Sequence, residues 1–292
     1  MPTLLETSSQ RLIVAAELGG AVLGWDWRSA AGAWLPLFRP SAEAERDPYA
    51  LACFPLLPWA NRVSQGGFAL DGRHLDLALN RQGEPFPIHG DAWLQPWSVR
   101  SQDPDTLTLA LDSSRPAASP YHFEATQQFR LHPDGLDIVL QARALDAFAL
   151  PYGIGLHSCF ADAAGASLQA SSSGVWMPGG ADPGERRLEP VPAQWACSSP
   201  RPVSDLVVDH CFDGWDGQAQ IDWPQRGLRL RLRTTPAERQ FQLCRRAGQD
   251  SIWFEPVSHP VDAFHLPGMP GLRMLAAGET ITLTLEMRVM AA

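Results

Sequence analysis

Lysine is absent from this 292-residue chain, so all 23 of its basic residues are arginine. That absence removes whole classes of chemistry. Schiff-base catalysis and pyridoxal-phosphate attachment both need a lysine amine, and so does a Walker A phosphate loop. A G-x-S-x-G elbow, an H-E-x-x-H motif and an EF-hand loop are also missing. Cysteine is scarce and scattered, at positions 53, 159, 197, 211 and 244, with no C-x-x-C pair. This argues against a metal site or a disulfide frame and predicts free buried thiols. Positive charge is in deficit, with a net charge of −9. A general nucleic-acid binder needs a basic face to displace counterions, so no such partner is expected. The most apolar stretch, "LACFPLLPWA", is too short and too proline-rich to span a bilayer. The segment "MPTLLETSSQR" has neither the basic nor the apolar region of a signal peptide. The expectation is a cytoplasmic protein without a membrane partner.

What the chain does contain is alternation. "TLTLALD" (106–112), "LDIVLQARAL" (136–145), "LRLRLRT" (228–234) and "TITLTLEMRV" (280–289) alternate apolar and polar residues, or nearly so. A period of two marks half-buried strands. Asp71-Gly72 and Asp134-Gly135 sit between such runs and predict hairpins, because a type I′ turn wants positive φ at both central residues. No stretch shows helical periodicity with a cap at each end. The segments 112–121 and 171–205, the latter rich in Ser, Pro and Gly, read as long surface loops. At 45% hydrophobic and 19% charged residues, the chain can bury a sizeable core. The predicted class is all-β, a large antiparallel β-sandwich formed by one domain over residues 1–292. The eleven tryptophans suit sugar-stacking platforms or, more commonly, a Trp-rich core.

Four places put polar residues where apolar strands stop. In "FPLLPWANRVSQGGF", a proline-stiffened run delivers Asn61 and Arg62 just before a Gly-Gly turn. In "FPIHGDAW", His89 precedes Gly90, a residue that permits close approach of the backbone to a ligand. "LPYGIGLHSCF" passes two glycines on its way to His157. In "SIWFEPVSHP", Glu255 follows Ile252, Trp253 and Phe254 and precedes Pro256, which is expected to end the strand. Asp209, in "LVVDHCFDGWDG", likewise follows an apolar run. Each has a structural explanation when taken alone: a surface arginine, a core histidine, a solvated strand end. Together they offer an imidazole and a carboxylate, the minimum for general acid–base catalysis without a cofactor or metal.

In order and spacing these segments resemble the aldose 1-epimerases, the galactose mutarotases and their relatives. "LLPWANRV" with "GGFALDGRHLDLALN", "PIHGDAW", "PYGIGLHSCF", "VVDHCFDGWDG", "IWFEPVSHPVDAFH" and "GLRMLAAGETITLTLEMRV" carry the resemblance through nearly the whole chain. It implies the family's large β-sandwich and a reaction that opens and recloses a cyclic hemiacetal. By resemblance, Glu255 is the base at the anomeric hydroxyl and His157 the acid at the ring oxygen. Arg62, His89 and Asn61 belong to the substrate-binding set, and Asp209 anchors hydroxyls away from C1. The substrate is then a small monosaccharide, and the protein a monomer or homodimer. Leu156 precedes His157, where the better-studied galactose mutarotases carry Asn-His, so the sugar preference stays open. A hexose-6-phosphate 1-epimerase, a non-catalytic carbohydrate binder on the same fold, and a glycosidase using Asp209 with Glu255 are the alternatives.

Overall fold

The computed structural model describes residues 1–42, 45, 47–116, 119–161, 163–179 and 185–292. The alternating segments become strands where the period of two places them: Thr106–Asp112, Gly135–Ala144, Leu228–Thr235 and Thr280–Ala291. These four belong to one nine-stranded sheet. Its order is Cys197–Pro202, Ser167–Ala170, Gln218–Trp223, Leu228–Thr235, Thr280–Ala291, Gly135–Ala144, Phe123–His132, Thr106–Asp112 and Ser98–Gln102. Apolar residues of these strands face inward and polar ones face water, as in Thr106–Asp112, where Leu107, Leu109 and Leu111 are the buried positions.

The second sheet has eleven strands. Its path runs Thr3–Glu6, Gln10–Ala15, Ala21–Arg28, Cys53–Leu56, Gly155–Ala161, Ser251–Val257, Gln240–Arg245, Val208–Asp213, Gly174–Pro178 and Arg186–Glu189, with Trp34–Pro36 beside Ala21–Arg28. Its central strands are buried at every position. A strand covered on both faces has no polar side to show, so Cys53–Leu56, Gly155–Ala161 and Ser251–Val257 read in sequence as mainly apolar stretches without alternation, while Gln240–Arg245 still alternates over Gln240–Leu243. One face meets the nine-stranded sheet in a shared core that joins Trp25 and Phe160 to Leu140 and Leu285. The other face carries a separate apolar cluster that includes Phe54, Leu56, Ile88, Trp93 and Val257. Helical segments among the described residues are short 3₁₀ turns, and none is long and apolar enough to cross a membrane. All five cysteines are free and buried.

Several local expectations need correction. The segment 171–205 is not one long loop: it contains the strands Gly174–Pro178, Arg186–Glu189 and Cys197–Pro202. The last two lie at the edges of their sheets, where an unpaired side tolerates proline and serine that a central strand would exclude. The segment 112–121 has no strand beyond Asp112 among its described residues. Asp71-Gly72 turns as predicted, with positive φ at both residues, between Gly67–Leu70 and Arg73–Asp76. The second hairpin is shifted by one residue. His132 pairs with Gly135, so Pro133 and Asp134 make the turn, and neither has positive φ. Proline fixes a negative φ and cannot head a type I′ turn. Gly135 belongs to the strand, where a Cβ would come within 1.8 Å of the Met287 carbonyl oxygen.

Candidate active site

Register assembles the site. In the eleven-stranded sheet Gly155 pairs with Val257 and Cys159 with Trp253. The antiparallel register between those two pairs sets His157 opposite Glu255. On their far sides, His157 pairs with Phe54, and Glu255 with Gln242. Phe54, His157, Glu255 and Gln242 therefore form one row across four neighbouring strands, on one face. Asp209 joins from the next strand, where it pairs with Cys244. The ladder between the His157 and Glu255 strands is interrupted beside the pair, with no paired residues between Gly155–Val257 and Cys159–Trp253. Pro256 sits in that gap. Contrary to the expectation that it ends the strand, the strand continues through it to Val257; its missing N–H falls where the ladder is already open. The Ser158 hydroxyl closes part of the gap by donating to the Phe254 carbonyl at 2.5 Å.

A cleft of about 290 Å³ opens over this row. All six residues nominated from the sequence line it: Asn61, Arg62, His89, His157, Asp209 and Glu255. The His157 Nε2 lies 3.3 Å from Glu255 Oε1, and both side chains are more than nine-tenths buried. Burial pushes the Glu255 carboxyl well above its ordinary range, and nearby Asp209 adds to the shift. Burial pushes His157 down to about 3, with Arg39 and Arg81 acting in the same direction. Burial thus disfavours the charged form of both groups, an arrangement in which one proton can sit on either member of the pair. Phe54 stacks on the His157 ring at 4.2 Å between centroids and 14° between planes, while Tyr49 lies parallel at 5.6 Å. These faces set the plane of the imidazole and keep water from it.

His89 meets His157 edge-on at 5.2 Å. Its ring Nδ1 accepts the Asn61 N–H at 3.0 Å, and the His89 backbone N–H donates to the Asn61 carbonyl at 2.9 Å. Burial holds the ring neutral, far below its usual pKa, so the remaining proton sits on Nε2. His89 is thus a fixed donor. The glycine after it has a different purpose from the one expected. A Cβ at Gly90 would fall 1.9 Å from the Leu57 carbonyl oxygen, so the close approach is to the Leu57–Pro58 backbone, not to a ligand. Arg62 is half-exposed, and its Nε is held by Glu84 at 2.7 Å. Asp209, at the rim, accepts from Gln242 Nε2 at 2.8 Å.

Sequence reading missed Tyr49, Glu84, Gln242 and the arginines Arg39 and Arg246, all of which line the cleft. Gln242 had a legible signal: it is a polar residue inside the apolar run "FQLC", as Glu255 is inside "IWFEPV". Glu84 had none, because it sits in a polar turn. Trp253 and Phe254 directly precede Glu255, but side chains alternate along a strand. Only Trp253 shares the cleft face, and Phe254 enters the main core. Trp253 is the one tryptophan on the cleft wall, and the Arg39 guanidinium covers its ring at 5.1 Å. Among the described residues no three His, Cys, Asp or Glu side chains converge as a metal-ligand set.

The sequence profile of the family described as aldose 1-epimerase matches residues 3–288. An uncharacterised protein of Escherichia coli K12, YphB, is 32% identical over 281 residues, covering 94% of each chain. A crystal structure from Escherichia coli K12, provisionally described as an aldose 1-epimerase, superposes with a TM-score of 0.90 at 31% identity, covering 100% of this chain and 99% of the other. A galactose mutarotase-like protein from Clostridium acetobutylicum has a TM-score of 0.85 over 99% of this chain and 95% of its own, and at 14% identity it speaks to the fold alone.

Proposed function

The chain belongs to the aldose 1-epimerase family, and on that premise we propose that it interconverts the α and β anomers of a free aldose without a cofactor. One observation carries the reading: a buried imidazole and a buried carboxyl face each other at 3.3 Å across adjacent strands, in the floor of a polar cleft. Ring opening takes a proton from O1 and gives one to O5. In the reactive form Glu255 is a carboxylate and His157 an imidazolium. As the C1–O5 bond breaks, the O1 proton passes to Glu255 and the His157 proton to O5. That leaves a protonated Glu255 and a neutral His157, the uncharged form that burial favours. The open-chain aldehyde turns about C1–C2, and reclosure runs the same transfers in reverse. The pair needs no proton from solvent, because its two tautomers are the two protonation states of the cycle. Polar groups of the bound sugar would solvate the charge-separated form, so the reactive tautomer is gained on binding.

His89 Nε2–H and the Arg62 guanidinium donate to ring and hydroxyl oxygens, with Asn61 beside them. Asp209 accepts from hydroxyls remote from C1. The Asp209–Glu255 pairing that a glycosidase would require lacks support, since Asp209 is half-exposed at the rim while Glu255 is at the floor beside His157. A 6-phosphate substrate would need guanidinium donors that converge on C6. Arg62 and Arg246 each lie beside a cleft carboxylate, Glu84 at 2.7 Å and Asp209 at 3.9 Å, whose negative charge weighs against a phosphate and favours an uncharged sugar.

The test is anomer exchange, by polarimetry or NMR, over galactose, glucose, arabinose, xylose and the hexose 6-phosphates. Faster interconversion of at least one free aldose than of any 6-phosphate is expected. The reverse order would overturn the free-sugar assignment, and no exchange with any of them would overturn the enzyme.

A further inference from the structure

The segment Ala60–Ser64 brings Asn61 and Arg62 to the cleft without belonging to either sheet. Its backbone has only a single antiparallel bridge, Arg62 with Ile88, to hold it, yet each of its five N–H groups has an acceptor. Ala60 N–H donates to His259 Nε2 at 3.0 Å, Asn61 N–H to His89 Nδ1 at 3.0 Å, and Arg62 N–H to the Asn61 side chain at 2.9 Å. Val63 N–H donates to the Pro87 carbonyl at 3.0 Å, and Ser64 N–H to Asp262 Oδ1 at 2.9 Å. The two ends of the segment are thus tied to His259 and Asp262, which follow Glu255 in "FEPVSHPVD".

Both anchors are built for this. His259 and Asp262 are each 2% exposed. The His259 Nδ1 faces the Pro260 carbonyl at 2.8 Å, so its proton sits there and Nε2 is left as the acceptor that Ala60 requires. Burial holds the ring neutral, down to about 4. Gly153 and Gly271 make room for it: a Cβ at Gly153 would lie 2.2 Å from the His259 ring, and one at Gly271 would lie 2.7 Å from the His259 Cα. Asp262 takes a left-handed backbone conformation, φ 58°, which a non-glycine residue adopts at a cost. From there its Oδ1 accepts both the Ser64 N–H and His265 Nδ1 at 2.8 Å.

We propose that His259 and Asp262 are positioning residues, a clamp that registers the Asn61–Arg62 segment against the strand bearing Glu255. Neither lines the cleft, although His259 borders, with Asn61 and Glu255, a small cavity of about 10 Å³ behind it. Through Asn61, whose N–H fixes the His89 tautomer, the clamp also sets the donor that His89 presents. One continuous stretch, 255–262, therefore supplies both the proposed base and the support of the residues that hold the sugar. The role in catalysis rests on the epimerase reading; the clamp itself does not.

The experiment compares His259→Leu, which removes the acceptor, with His259→Gln, which offers a side-chain oxygen in its place. Amide hydrogen exchange is read first, since it needs no substrate. Loss of protection at Ala60 and Asn61 in His259→Leu is expected while Gly155–Ala161 and Ser251–Val257 stay protected. Unchanged protection at Ala60 and Asn61 would overturn the clamp whatever the protein catalyses. Anomer exchange is then read on a substrate that wild type turns over. Misplacing a binding group by about 1 Å can cost about 10²-fold, so KM in His259→Leu should rise by about 10- to 100-fold with kcat changed far less, and His259→Gln should recover most of the loss. An unchanged KM, or a fall in kcat with KM unaffected, would overturn the positioning role. Should His259→Leu fail to fold, Asp262→Ala provides the same readings at Ser64.

Discussion

Replacing Glu255 with glutamine keeps the shape of the side chain and removes its ability to take a proton. A positioned proton transfer contributes about 10²–10⁴-fold, so kcat should fall by that factor, equivalent to about 3–5 kcal/mol of barrier. The geometry requires more than this single loss. His157 faces Glu255 at 3.3 Å and is held down to about 3 by burial, so without the carboxylate it has no counter-charge to stabilise an imidazolium. Glu255→Gln therefore disables both halves of the transfer, and His157→Asn does the same from the other side. Independent groups would lose about 10⁴–10⁸-fold together, the product of two such factors. A pair sharing one proton should lose in the double variant no more than about tenfold beyond the worse single variant. The assay is the rate at which a fresh α-anomer approaches equilibrium, by polarimetry or NMR exchange. Wild-type rates in Glu255→Gln would end its assignment as base, and a multiplicative double variant would refute the shared proton.

Two further measurements follow from the shifted groups. The pair works only while it carries one proton between its members, so kcat/KM should stay level across neutrality. It should fall on the acid side as His157 gains a second proton near 3, and on the alkaline side above the raised range of Glu255; an acid limb centred near the ordinary imidazole range would show that His157 is not desolvated. Away from the site, Glu238 borders a second cleft, and burial lifts it from 4.5 to about 7, with Arg273 opposing. Its folded-state pKa is raised, so its contribution to stability is present below about 4.5 and lost as pH rises through about 7. Glu238→Gln should be more stable than wild type at pH 8 by up to about 3 kcal/mol, from 1.36 kcal/mol per pKa unit. Equal denaturation midpoints for the two proteins at pH 8 would contradict the burial of that carboxyl.

Much of the fold was legible before any coordinates. The strands Thr106–Asp112 and Thr280–Ala291 follow from a period of two, and the Asp71-Gly72 turn follows from residues that accept positive φ. Both are local properties, so a linear reading reaches them. Three of the four central strands of the larger sheet, Cys53–Leu56, Gly155–Ala161 and Ser251–Val257, are buried along their length and carry no such alternation. Arg186–Glu189 and Cys197–Pro202, at the margins of the two sheets, were read as loop because an edge tolerates residues that look like turns. The six nominated site residues were legible as polar interruptions of apolar runs, backed by family resemblance. Glu84 and Tyr49 interrupt nothing and left no trace.

The sequence by itself determined that the chain offers no lysine for any chemistry, that the cysteines form no C-x-x-C pair, and that strands dominate. The tertiary structure decided the rest. Whether His157 meets Glu255 depends on the register between two strands far apart in the chain, and a slip of one residue would turn one of them into the opposite face. Whether the pair is uncharged depends on Phe54, Tyr49 and Trp253 closing around it, since the shifts come from burial. Whether Asn61 and Arg62 point into the cleft depends on two side chains that follow Glu255 in sequence and grip the backbone from behind. Patterning is a property of neighbours along the chain; register, burial and support exist only once distant segments have packed.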